Sequence, residues 1–187
     1  PETYSIPPLL PRLTYPSQHD APPTTAAHEP THRTTQHVID IVQVFANAEY
    51  QVHLFKLDSP FDSSMPAGDI TNETEKAFSD LAEATNDKPW VVLSSGMDKD
   101  SFYKCLELAY INGASGYLAG RTIWLDAFKN YPNIEKVEEG LKNASVSYVK
   151  KLNELTARNA QSLDTFFNNG FKIDNPEKFT KDFGGFE

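Results

Sequence analysis

The sequence predicts an α/β protein of parallel type, either half of a (β/α)8 TIM barrel or an open parallel sheet. Three observations predict it. Short apolar runs alternate with longer runs whose apolar residues recur at helical spacing. The order strand, helix is repeated four times, which implies parallel pairing through right-handed crossovers. Finally, a lysine, a Ser-Ser-Gly run and a Gly-Arg pair each fall at the C-terminal end of one of these strands.

The elements follow in order. Residues 6–15 are apolar enough for a strand, but Pro7, Pro8 and Pro11 cannot donate to a ladder and demote it to a short or edge strand. Eight of the 13 prolines lie in the first 30 residues, and residues 16–30 read as a loose Pro-rich loop. Val38, Ile41, Val42, Phe45 and Ala46 recur at helical spacing. The next strand is Val52-His53-Leu54-Phe55-Lys56-Leu57-Asp58, ending near Pro60. After a polar loop, Thr71 or Asn72 can cap a helix running to about Thr85, with Phe78, Leu81 and Ala82 inward. Trp90-Val91-Val92-Leu93 is a compact buried strand. Asp98 caps the following helix, where Phe102, Cys105, Leu106 and Ala109 share a face and Gly113 marks the end. Gly116-Tyr117-Leu118-Ala119 is the last strand, and apolar residues from Ile134 to Leu155 mark one long amphipathic helix. Beyond residue 160 lies a tail with six of the 12 phenylalanines, expected to pack back on the domain.

Bulk properties narrow the function classes. A chain of 187 residues can bury one core. Its net charge of −9 argues against nucleic acid and anionic membrane as partners. No apolar run is long enough to span a bilayer, and no secretory signal pattern opens the chain. The single cysteine, Cys105, forbids an internal disulfide and fits a reducing compartment, so a cytoplasmic location is expected. No histidine spacing suggests a metal site, and no dinucleotide or P-loop glycine pattern is present, so neither metal nor cofactor is expected. The chain opens on Pro1 and reads as cut from something longer.

The chemistry is expected at the strand ends. Burial disfavours an ammonium ion, so a lysine buried at position 56 should have a lowered pKa and offer a free amine to a carbonyl. A structural lysine satisfied by a partner is the alternative. In (β/α)8 barrels an anion commonly sits between the loops after strands 7 and 8. Here Ser94, Ser95 and Gly96 follow one strand, and Gly120 and Arg121 follow the next. Hydroxyls donate, glycines bring amides close, and an arginine binds phosphate through two N–H groups.

These residues resemble a known family. Trp90-Val91-Val92-Leu93-Ser94-Ser95-Gly96 and Gly113-Ala114-Ser115-Gly116-Tyr117-Leu118-Ala119-Gly120-Arg121-Thr122-Ile123-Trp124 are similar to segments of the tagatose 1,6-bisphosphate aldolases and the related sulfofructose-phosphate aldolases. Phe55-Lys56-Leu57-Asp58 followed by Pro60 resembles their Schiff-base strand. The resemblance implies a metal-independent class I aldolase on a TIM barrel. Residues 1–160 then cover about strands 5–8, the C-terminal half, and residues 161–187 form the tail. It implies that Lys56 is the Schiff-base lysine and that Ser94 and Arg121, with the Gly120 backbone beside them, bind the substrate phosphate; Ser95 and Gly96 join them on residue type and strand-end position. It further implies a sugar-phosphate substrate, cleaved to dihydroxyacetone phosphate and an aldehyde.

Two departures stand out. Where the family places an acid–base glutamate, this chain has Pro11, in Leu9-Leu10-Pro11-Arg12-Leu13-Thr14-Tyr15. The first four strands are also absent, so the inner strand faces and both sheet edges lack cover. Self-association into a homo-oligomer, or a complementary N-terminal half barrel, is therefore expected. A non-catalytic relic that binds sugar phosphates or a protein partner is the alternative function.

Overall fold

In a computed structural model, which describes residues 9–11, 35–60 and 70–167, four strands pair in parallel and in chain order. They are β1 (Leu9–Pro11), β2 (Leu54–Asp58), β3 (Trp90–Leu93) and β4 (Gly116–Leu118). Helix α1 (Thr35–Phe45) joins β1 to β2, α2 (Asn72–Ala84) joins β2 to β3, and α3 (Lys99–Ile111) joins β3 to β4. A strand order that never reverses, with right-handed crossovers, puts every helix on one face of the sheet. An open doubly wound sheet would need a reversal. The arrangement is that of a partial (β/α) barrel.

Sequence dictates most of these boundaries. Thr71 caps α2 by accepting the Thr74 N–H at 3.2 Å. Asp98 caps α3 by accepting the N–H groups of Asp100 and Ser101, and it also takes the Ser101 hydroxyl at 2.6 Å. These bonds hold the Asp98 carboxyl below its ordinary pKa. Gly113, just past α3, takes the left-handed φ of 83° that ends the helix. Pro7, Pro8 and Pro11 demote the first strand, and among the described residues β1 lies at the edge of the sheet.

The core lies between the sheet and the helices. Phe55, Leu57, Trp90 and Val92 project there and are almost fully buried, against Val38 and Val42 of α1, Phe78 and Leu81 of α2, and Phe102 and Leu106 of α3. Ile39 rather than Ile41 completes the inward face of α1, because the buried stripe runs 38, 39, 42 and 46. Cys105 packs in this core as expected, where burial pushes its thiol up to about 12.

After β4 the chain departs from expectation. A separate short helix, α4 (Arg121–Phe128), precedes the terminal helix. The long helix itself is α5 (Ile134–Gly140) and α6 (Val146–Asn159), joined by one turn of wider i→i+5 helix at Leu141–Ser145. Close packing of α4 on this region explains the adjustment. A Cβ on Gly140 would stand 2.9 Å from the Ala127 Cβ, and the Ser145 hydroxyl donates to the Ile123 carbonyl at 2.8 Å. Helix α6 is tied to α3 through Tyr148 to the Lys99 carbonyl and through Tyr110 with Thr156. The Pro-rich loop at 16–30, and the tail phenylalanines beyond Phe167, lie outside the described residues. No helix among the described residues is long and apolar enough to cross a membrane.

Candidate active site

Alternation along β2 sends Phe55 and Leu57 into the core, and so sends Lys56 and Asp58 to the opposite face, about 6–7 Å apart along the strand. Register aligns Lys56 with Pro11 on one side and with Val91, then Gly116, on the other. One step towards the strand ends, Asp58, Leu93 and Leu118 form the next row. This face has no covering layer among the described residues. Leu54, Lys56, Val91 and Leu93 are only partly buried and Leu118 is exposed. The expectation of a buried lysine is corrected accordingly: Lys56 is half-buried, because burial at its position needs side chains from facing strands.

Asp58 differs from its neighbours on this face, being only 6 % exposed. The turn after β3 covers it, and the Ser95 hydroxyl donates to Asp58 Oδ1 at 2.7 Å. That turn is tight. Its two central residues both have positive φ, 46° at Ser95 and 80° at Gly96, and the Met97 N–H closes it on the Ser94 carbonyl at 2.9 Å. Ser94 is buried, and its N–H extends the ladder by donating to the Leu118 carbonyl at 3.0 Å. Gly96 stands exposed at the apex.

Against this apex lies Arg121. A Cβ placed on Gly96 would stand 3.3 Å from Arg121 Nη2 and 3.5 Å from Cζ, so the guanidinium rests on the glycine. Arg121 opens α4, whose N-cap is Gly120, a residue with no side chain to offer the first amides. The positive end of the helix and the residue that carries the guanidinium are therefore adjacent in the chain, a combination suited to an anion. Thr122, buried, donates its hydroxyl to the Met97 carbonyl at 2.7 Å and fastens α4 to the turn.

The structure thus brings Ser94, Ser95, Gly96 and Arg121 together, with Gly120 adjoining Arg121 in the chain. Lys56 lies on the neighbouring strand, one row below the turn. The Ser95 hydroxyl has one hydrogen and gives it to Asp58, so in this arrangement it does not donate to an incoming anion. Asp58 and Thr122 were missed from sequence. For Asp58 a signal existed, since an acid two residues after the lysine must share its face. Among the described residues, no three His, Cys, Asp or Glu side chains cluster as a metal site would require.

Parallel strands in chain order, helices on one face and polar residues gathered at the C-terminal strand ends define a chain of the (β/α)-barrel class. Residues 27–126 match the model of the DeoC/LacD family aldolases, and the chain belongs to that family. Among curated relatives, tagatose 1,6-diphosphate aldolase of Streptococcus agalactiae serotype V is 29% identical over 138 residues, covering 67% of this chain and 42% of the relative. Tagatose 1,6-diphosphate aldolase 2 of Streptococcus mutans serotype c is 24% identical over 128 residues, covering 63% and 39%. The chain spans about two fifths of the length of the curated relatives it matches.

Proposed function

We propose that the chain forms about strands 5–8 of a class I aldolase barrel and carries its Schiff-base lysine and its phosphate site. The substrate is a ketose bisphosphate such as tagatose 1,6-bisphosphate. Lys56 Nζ adds to the C2 carbonyl, and loss of water leaves an iminium. A base takes the proton of the C4 hydroxyl, and the C3–C4 bonding pair flows into the iminium. The aldehyde phosphate leaves, and an enamine remains on Lys56. Protonation at C3 and addition of water then release dihydroxyacetone phosphate and the free lysine. Arg121, the Gly96 and Gly120 amides and the Ser94 hydroxyl hold the phosphate, which fixes the carbonyl relative to Nζ.

The observation that carries this reading is the placement of Lys56 on the uncovered sheet face, beside the strand whose following turn meets Arg121. The test is cleavage of tagatose 1,6-bisphosphate by the full chain and by Lys56→Met. Activity abolished by the substitution supports the proposal, and activity retained by Lys56→Met overturns it.

One observation favours a second reading, a phosphate-binding relic without turnover. The residue in register with Lys56 on β1 is Pro11, which cannot move a proton. Phosphate-ester binding seen by calorimetry, with no cleavage by the wild-type chain, selects this reading. In either case the uncovered face is a surface for a second copy of the chain or for an N-terminal half barrel.

A further inference from the structure

We infer that Asp58 is a positioning residue of the anion site: it holds the turn at residues 94–97 in the shape on which the Arg121 guanidinium rests. The inference deepens the phosphate-site reading above and rests on it.

Among the described residues, Ser95 is the only one other than glycine at positive φ just after the C-terminal end of a strand, and L-residues pay for that conformation unless something holds them there. Here the holding contact is a 2.7 Å hydrogen bond to a carboxylate that is itself buried. A charge-assisted bond in such a place is among the stronger ones available to a hydroxyl. Its consequence is read at the next residue. With Ser95 left-handed, Gly96 follows at φ 80° and presents its bare Cα to Arg121, where even a methyl group would stand 3.3 Å from Nη2. The same turn delivers the Met97 carbonyl to Thr122, which fixes the start of α4. A single carboxylate on β2 therefore sets the relation between the β3 turn, Arg121 and the α4 N-terminus. Because Asp58 also shares a strand face with Lys56, it links the anion site rigidly to the lysine strand.

The test measures inorganic phosphate binding by calorimetry in the full chain, for wild type, Arg121→Ala, Asp58→Asn, Ser95→Ala and Ser95→Gly. Borohydride trapping of phosphate-free dihydroxyacetone on Lys56 runs in parallel, and circular dichroism confirms folding. The expected result is about tenfold weaker phosphate binding for Asp58→Asn and Ser95→Ala, with trapping of dihydroxyacetone unchanged. Ser95→Gly, which accepts positive φ without the bond, should recover most of the affinity, a rescue that a general loss of stability would not produce. In the Arg121→Ala background, Asp58→Asn should add no further loss. Arg121→Ala weakening phosphate while folded Asp58→Asn and Ser95→Ala bind it like wild type overturns this inference alone. Equal loss of phosphate binding and of dihydroxyacetone trapping overturns it as well. No effect of Arg121→Ala on phosphate overturns the phosphate-site reading and the inference with it.

Discussion

Gly96→Ala perturbs the site at one atom, and its effects separate into two parts. The backbone part comes from φ of 80° at this position. An L-residue there costs about 1–2 kcal/mol relative to glycine. The contact part is smaller for stability, since the new Cβ meets Arg121 Nη2 at 3.3 Å and Cζ at 3.5 Å, the far end of a flexible side chain. The guanidinium can yield by a few tenths of an ångström. For anion binding that displacement matters more, because two N–H groups lose their aim together. Gly113 provides an internal control. It too has a left-handed φ, 83°, and its added Cβ would stand 3.2 Å from Gln161 Oε1, at the opposite end of β4. Gly96→Ala and Gly113→Ala should therefore lower urea-unfolding stability by similar amounts, about 1–2 kcal/mol each. Only Gly96→Ala should weaken phosphate binding in calorimetry, by about tenfold. Equal losses of phosphate affinity in the two variants, or no stability loss in Gly96→Ala, would refute the reasoning.

Other consequences are as direct. Thr122→Val removes the buried bond to the Met97 carbonyl and leaves that acceptor without the hydroxyl, so urea unfolding should show a loss of about 1–3 kcal/mol; an unchanged midpoint contradicts the role given to Thr122. Asp98 has a folded pKa below its ordinary value of 3.8, so its stabilising contribution is complete above that value and is lost as pH falls through the folded pKa. Asp98→Asn, which caps without the charge, should lower stability near neutrality, change it little below the folded pKa, and so flatten the curve across that acid window, as read by thermal unfolding against pH. The exposed Leu118, Trp124, Leu125 and Phe128 should drive association of the chain at micromolar concentration, visible in sedimentation velocity; a single sharp monomer boundary contradicts this.

Local signals made much of the architecture legible. β2 and β3 are apolar runs with few alternatives, and Thr71, Asp98 and Gly113 mark helix ends through contacts within three residues or through a single φ. Such features do not depend on the rest of the chain. Helix α4 was not legible, because Gly120 gives it no side-chain cap and eight residues make a marginal helix in isolation. It is held by tertiary contacts, Thr122 to the β3 turn and Ala127 against Gly140. The same cause broke the long terminal helix at Leu141–Ser145, where no proline signals it.

At the site, strand-end positions were readable but pairings were not. Gly96 and Arg121 could be assigned to adjacent loops, since strand order follows from the repeated units. That the Ser95 hydroxyl turns back to Asp58 depends on the left-handed backbone at Ser95, for which Ser carries no composition signal. The half-buried state of Lys56 was legible only through the missing first four strands, not through its own strand. Burial of an inner-face residue is a property of the strands opposite it, not of the strand that bears it.

The central claim is that Lys56 is the amine and the Gly96–Arg121 contact the anion seat of one site. Reduction with borohydride in the presence of dihydroxyacetone phosphate, followed by peptide mapping, tests both parts at once. The account predicts one reduced adduct, on Lys56, formed faster with dihydroxyacetone phosphate than with dihydroxyacetone, and a preference that disappears in Arg121→Ala. An adduct on a different lysine, or equal rates for the two carbonyl compounds in the wild-type chain, would contradict it.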